Sequence, residues 1–320
     1  MESGQFIAKW SDRLDKVLSK ELDVSRNQVE KLVKEGFVLV DGKSIAKPSF
    51  RVSLGATIEF EIQEAKVESF EDIDISIEVL YEDEDLLVIN KPAGLVVHPA
   101  PSVKEPTLVD WLRREGVRLS TISGEERNGI VHRLDKETSG AILVAKNNYT
   151  HTILSEQLQD RSMGRYYLAI IDYPLKESQI VDKPIARNPK NRLKMAVVEG
   201  GREAKSAFAK IDASLSGHEL IACKLFSGRT HQIRVHLNSI GRNILGDSLY
   251  GQGKSKEVER VFLHAYLLYF IHPRSGKFVE VRAPLMQDMQ KYLIKNFDKG
   301  EEYVSLDNES IKELFKNFAS

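Results

Sequence analysis

Between residues 52 and 90 the chain carries twelve acidic residues against one base, Lys66. Nothing else in the sequence limits the fold as strongly. Like charges at this density repel and favour an extended path, so the segment belongs between folded units or on a surface. The chain also has 320 residues, beyond the roughly 100–200 of one ordinary domain. The expectation is a small unit over 11–63, an acidic linker over 64–78 and a larger unit over 79–320 that ends in an acidic tail.

The net charge of −1 taken alone argues against a nucleic-acid partner, which usually meets a basic protein. The distribution reverses that. Residues 13–51 hold nine basic and six acidic residues, residues 91–295 hold 32 and 21, and residues 296–320 hold three and six. Screening confines a charge's reach to about 8–10 Å, so a ligand meets one face and not the sum. Charge runs are also commonly plain solvated surface, and the counts alone leave both readings open.

Within 11–63, Leu14, Val17, Leu18 and Leu22 recur at helical spacing. Ser25 with Gln28 makes a capping-box pattern for a second helix, whose apolar stripe is Val29, Leu32 and Val33. Residues 37–40 read as a strand, Asp41-Gly42 as a tight turn, and 56–62 alternate as a half-buried strand does. So small a core is marginal and suits an appended binding module. From residue 79 onward strands dominate, at 85–90, 141–145, 166–171, 218–226 and 277–283, with helices at 107–112 and 151–160. Strand and helix do not alternate regularly. The predicted class is α+β, with a mixed, mostly antiparallel sheet in the larger unit.

Four stretches could carry chemistry. Gly129-Ile130-Val131-His132-Arg133-Leu134-Asp135-Lys136-Glu137-Thr138-Ser139-Gly140 is a polar turn between apolar strands. It reads as a connector, or as a site where extended backbone points Arg133 and Asp135 to one side. An arginine beside an aspartate favours the carboxylate, which can act as nucleophile or base. Ser227-Gly228-Arg229-Thr230-His231-Gln232-Ile233-Arg234-Val235-His236-Leu237 reads as a Gly-Arg loop entering a helix capped by Thr230, a natural anion site. Arg165-Tyr166-Tyr167-Leu168-Ala169 places adjacent tyrosines on opposite strand faces. Residues 183–210 hold eight basic and two acidic residues broken by Pro184, Pro189, Gly200 and Gly201, which suits phosphate contacts.

Other chemistries lack their signals. His231 and His236 are five apart, not the four of a zinc-binding helix pair. There is no GxGxxG, no P-loop lysine motif and no Gly-x-Ser-x-Gly. Carboxylate, arginine and tyrosine chemistry without metal or cofactor remains. Cys223 is the single cysteine, residues 1–12 have no apolar core, and no apolar run reaches membrane length. A cytoplasmic protein with no membrane partner is expected.

Taken together these stretches resemble the RluA/RluD family of RNA pseudouridine synthases with an N-terminal S4 RNA-binding domain. His132-Arg133-Leu134-Asp135 with Thr138-Ser139-Gly140 is similar to the family's catalytic-aspartate motif. Asn90-Lys91-Pro92-Ala93-Gly94-Leu95-Val96-Val97-His98-Pro99 is similar to its opening segment. Gly228-Arg229-Thr230-His231-Gln232-Ile233-Arg234-Val235-His236, followed by Gly246-Asp247 and Tyr250-Gly251, is similar to its later motif, with Ser227 where threonine is usual. Leu263-His264-Ala265 and His272-Pro273 match its C-terminal part, and residues 13–60 are similar to S4 modules.

The resemblance implies isomerisation of uridine to pseudouridine in RNA, with large-subunit (23S) ribosomal RNA or an assembly intermediate as partner and a monomeric enzyme. It implies Asp135 as nucleophile or base, Tyr167 stacking on the uracil, and Arg234 pairing with Asp135. Arg133, His132, Arg229 and His231 would serve base flipping. Arg13, Lys16, Arg26, Lys31 and Lys34 of the S4 module, with Arg187, Lys190 and Arg192 of the basic block, would meet RNA. The alternatives are a transfer-RNA synthase, a non-catalytic S4 protein, and a carboxylate glycosidase. The last would want two paired acids.

Overall fold

The computed structural model of the protein describes residues 2–22, 26–62, 75–99, 103–124, 127–251 and 258–318. Most of the expected linker, and Ser25, lie outside the described residues. The chain forms two compact units, Met1–Asp74 with His98–Ile130, and Ile75–Val97 with Val131–Ser320. This differs from the expected simple succession, because residues 98–130 group with the N-terminal unit.

In the first unit the helices Leu14–Glu21 and Arg26–Lys34 pack their apolar stripes together. Leu14, Val17, Leu18, Val29 and Val33 share a core with Val38, Val52 and Ile58. The hairpin Val38–Val40 with Lys43–Ser44 turns through Asp41 and Gly42, whose φ angles of 50° and 73° are the left-handed pair that a type I′ turn requires. Glu2–Ile7 adds an edge strand antiparallel to Thr57–Ile62. The run Glu2-Ser3-Gly4-Gln5 hides it, since it lacks the apolar alternation that marks a strand. Thr107 and Asp110 form a capping box on the helix Leu108–Arg114.

Among the described residues, nine strands make the sheet of the second unit. Its path runs Gln179–Asp182, Lys205–Ala213, Glu219–Leu225, Gly164–Ile171, Leu263–Ile271, Ser139–Ala145, Leu86–Lys91, Glu78–Glu82, and Phe278–Arg282 pairs off that path with Leu263–Ile271. Among the described residues its pairings are antiparallel except one, where His264 and Ala265 lie parallel to Ser139 and Gly140. Past that point the same edge of Leu263–Ile271 takes Phe278–Arg282 instead, so the sheet divides just beyond residues 139–140. The three strands Leu86–Lys91, Ser139–Ala145 and Gly164–Ile171 are buried at every residue. This is why they read as continuous apolar runs and not as alternating ones. Among the described residues no helix is long and apolar enough to cross a membrane.

Burial also governs the histidines of this unit. It pushes His151 and His264 down to about 4 and holds His132 well below its ordinary value of 6.5. The unfolded chain therefore takes up these protons first as pH falls, and stability present above about pH 6.5 is lost progressively towards pH 4. The melting temperature should drop steeply across that window. A flat profile would show that these imidazoles titrate alike in both states.

Candidate active site

The polar segment after Val131 folds as a loop closed by the Thr138 N–H donating to the Asp135 carbonyl, 3.1 Å. Its far end is pinned to the parallel pairing. Gly140 has a φ of 110°, and a Cβ there would lie 2.3 Å from the Ala265 carbonyl oxygen, so only glycine allows the strands to approach. Beside it the Ser139 hydroxyl bonds the His264 Nδ1 at 2.8 Å. The near side is held by Lys91, which is fully buried. Its ammonium donates to the carbonyls of Pro92, Leu95 and Lys136 at 2.7, 2.9 and 3.1 Å, which uses all three of its donors. Burial pushes Lys91 down to about 7. The Lys136 carbonyl also accepts from the Gly94 N–H at 2.9 Å. The opening segment thus grips the loop directly behind Asp135.

His132 does not reach the cleft. It is buried behind the loop, where its Nε2 accepts from the Leu143 N–H at 3.1 Å. The expected base-flipping role is therefore corrected to one of holding a core strand. The reason is local: with Arg133 exposed, the residue before it turns inward.

Arg234 is fixed by a partner the sequence reading did not assign. Its Nε and Nη2 donate to the two oxygens of Asp247 at 2.7 and 2.8 Å, while Nη1 reaches Asp135 Oδ2 at 3.4 Å. The bidentate pair is with Asp247, and Asp135 receives only the remaining fork of the guanidinium. Burial pushes Asp247 up. The paired guanidinium and the N–H groups of Tyr250 and Leu249 outweigh it and hold the carboxyl below its ordinary value. The Arg234 guanidinium also lies 5.0 Å over the Tyr250 ring.

The helix that carries Arg234 runs Gln232–Asn238, and Thr230 does not cap it. His231 stands at the cap position with a φ of 56° and makes no side-chain cap bond. The preceding turn is secured by Gln232, whose side-chain oxygen accepts from the Ser227 hydroxyl at 2.8 Å and the Arg229 N–H at 2.9 Å. A glutamine at the first helical position reaches back far enough to replace the cap. Ser227, in the place of the usual threonine, keeps the hydroxyl that this bond uses. His231 Nδ1 meets the Tyr250 hydroxyl at 2.9 Å, and burial holds its ring below its ordinary value.

These elements enclose one cleft lined by Asp135, Arg133, Tyr167, Arg229, His231 and Arg234. Tyr167 is 4% exposed, and burial holds its phenol above its ordinary value. Tyr166 faces away, packed between Tyr269 and Phe315 at 5.8 and 5.4 Å. Arg229 donates its Nε to the Glu203 carbonyl at 2.9 Å. Arg187, Lys190 and Arg192 are exposed on the hairpin formed by Ile185–Arg187 and Met195–Val197, outside the cleft. Tyr250 connects that hairpin to the site, since its hydroxyl accepts from the Met195 N–H at 2.8 Å.

In the first unit Arg13 is clamped on Asp15, Lys16 lies 3.5 Å from Asp12 and Lys34 lies 3.2 Å from Glu30. The Lys16 and Lys34 pairs are exposed, contribute little and exchange readily for other anions, whereas Arg13 holds a buried Asp15 through two hydrogen bonds. The side chains of Arg26 and Lys31 are not among those described. Asp83, Asp85 and His272 come within ligand distance of one another. His272 pairs with Asp83 at 2.8 Å, and Arg274 takes both oxygens of Asp85 at 2.6 Å, so the group is a self-satisfied network.

Residues 85–239 match the family model for RNA pseudouridylate synthase, and residues 12–58 match that of the S4 domain. A Helicobacter pylori protein named as an uncharacterized RNA pseudouridine synthase is 48% identical over 312 residues, 95% of each chain. The chain belongs to the RNA pseudouridine synthase family. It is an isomerase of the RluA/RluD type with an N-terminal S4 domain. The ribosomal large subunit pseudouridine synthase D of Zymomonas mobilis is 41% identical to this synthase over 290 residues, 87% of this chain and 92% of that one. Human RNA pseudouridylate synthase domain containing 1, at 24% identity and a TM-score of 0.55 over 70% of this chain and 86% of that one, shares the fold.

Proposed function

We propose that this synthase converts specific uridines of structured large-subunit (23S) ribosomal RNA to pseudouridine without a cofactor, through Asp135. The observation that carries the reading is the cleft itself, where Asp135 lies 3.4 Å from an arginine already committed to a second carboxylate and faces the same space as Tyr167. Relatives named as large-subunit synthases support the ribosomal substrate.

A stacked base hides the bond to be cut, so the uridine is swung out, at a cost of about a few kcal/mol. Arg133, exposed at the cleft rim, takes the space it leaves. Tyr167 packs on the uracil, its phenol kept protonated by burial. Asp135, oriented by Arg234, attacks the ribose C1′ or removes a ribose proton, and the bond between C1′ and N1 breaks. The base turns, C5 bonds to C1′, and the C5 proton is lost while N1 gains one. Nothing is oxidised or reduced. The S4 module over 11–63, with Arg13, Lys16, Arg26, Lys31 and Lys34, and the hairpin residues Arg187, Lys190 and Arg192 hold flanking phosphates, which position the RNA without reading its sequence.

Mapping pseudouridine in ribosomal and transfer RNA from a strain lacking the protein, with and without its restoration, tests the substrate. Loss of one or a few 23S positions, regained on restoration, is expected. Loss confined to transfer RNA would move the substrate there.

A further inference from the structure

Arg165 lines the same cleft, two residues before Tyr167 on the strand Gly164–Ile171. It is 8% exposed, and its Nε is buried with no hydrogen-bond partner. Among the described residues no carboxylate pairs with its guanidinium, in contrast to Arg234 and its clamp on Asp247. Gly228 packs beside it, where a Cβ would lie 3.4 Å from Nη2. A buried cation with no counter-charge is costly. A cleft that keeps one is built for a negative charge that arrives with the reaction.

We infer that Arg165 is a catalytic residue that receives the uracil and stabilises the negative charge the base acquires on leaving the ribose. The inference rests on the reading of this cleft as the site of isomerisation. When the bond between N1 and C1′ breaks, its electron pair stays with the base and spreads over N1 and the two carbonyl oxygens. C1′ is then bonded to the Asp135 carboxylate, or the sugar has lost its C2′ proton to it. On the first route C5 displaces the carboxylate from C1′. On the second the proton returns to C2′ as C5 bonds to C1′. On either route C5 then loses its proton and N1 gains one. Both routes pass through an anionic uracil, so both are served by a guanidinium at the base. A phosphate would be met sooner by Arg133, exposed at the rim, and by Arg229. Arg165 lies deeper, beside the tyrosine that packs on the base.

The test compares wild type, Arg165→Met and Arg165→Lys in single turnover on one RNA that the wild-type enzyme modifies. A wild type that forms no pseudouridine on any RNA would overturn the proposed function, and that result is visible before either variant is made. At saturating enzyme, Arg165→Met should slow pseudouridine formation by about 10²–10³-fold. The RNA Kd should change less than about threefold, with the salt slope of log Kd unaltered. Arg165→Lys should regain about tenfold or more of the lost rate. The melting temperature of Arg165→Met should equal or exceed that of wild type, because the unpaired buried charge is gone. An undiminished saturated rate overturns the inference. So does a weaker Kd with a slope smaller by about 1 and a normal rate, the signature of a phosphate contact. A slow rate with a lowered melting temperature and no recovery by lysine assigns Arg165 to structure and overturns it as well.

Discussion

Asp135→Asn should reduce pseudouridine formation by about 10⁴-fold or more, while RNA binding stays within about threefold of wild type. The substitution keeps the size of the side chain and still offers one oxygen towards Arg234, whose Nη1 is 3.4 Å from the native carboxylate. It removes the group that can bond to C1′ or take a ribose proton, and among the described residues no other carboxylate lines this cleft. Nuclease digestion with chromatographic quantification of pseudouridine, beside filter retention of the same RNA, separates chemistry from affinity. Turnover near that of wild type would remove Asp135 from the mechanism.

The second large effect concerns Asp247. Its side chain is fully buried against Arg234 and also accepts from the N–H groups of Leu249 and Tyr250, both at 3.0 Å. Asp247→Ala strands a buried guanidinium and two backbone donors at once. Breaking a buried pair by removing one partner costs about 3–5 kcal/mol, so denaturant unfolding of the catalytic unit should report a loss of that size. Pseudouridine formation should fall with it, because Arg234 would then be free to rotate onto Asp135. Asp247→Asn keeps an acceptor and should cost less. Unfolding and turnover of Asp247→Ala that match wild type would show that Asp135 alone suffices to hold the arginine.

The partner of Arg234 shows how far the sequence could be read. Gly246-Asp247 was visible as part of a motif, but a motif carries no distances. The resemblance pairs Arg234 with Asp135, which it does reach, but the bidentate fork goes to Asp247, whose side chain is wholly buried with no competing solvent. The same limit applies to His132, which shares a four-residue motif with Arg133 and Asp135 yet points the other way. Thr230 fits every rule for a cap, but Gln232 satisfies the turn from inside the helix and leaves His231 in the left-handed position. The strand Glu2–Ile7 had no apolar alternation to reveal it, since it is made by pairing along Thr57–Ile62. The grouping of residues 98–130 with the N-terminal unit is likewise a matter of long-range contact.

By itself the sequence determined the strand-rich class, a helix over 107–112, the tight turn at Asp41-Gly42 and the charge-sorted halves on either side of the acidic stretch. These depend on periodicity and composition, which neighbours in the chain set among themselves. Tertiary structure alone decided which charges meet. Lys91 reaches the carbonyl of Lys136, 45 residues away, and Arg234 reaches Asp135 across 99. Among the described residues Arg165 enters the cleft with no carboxylate beside it. A charge is written in the residue, but its counter-charge and its distance from water are properties of the packed chain.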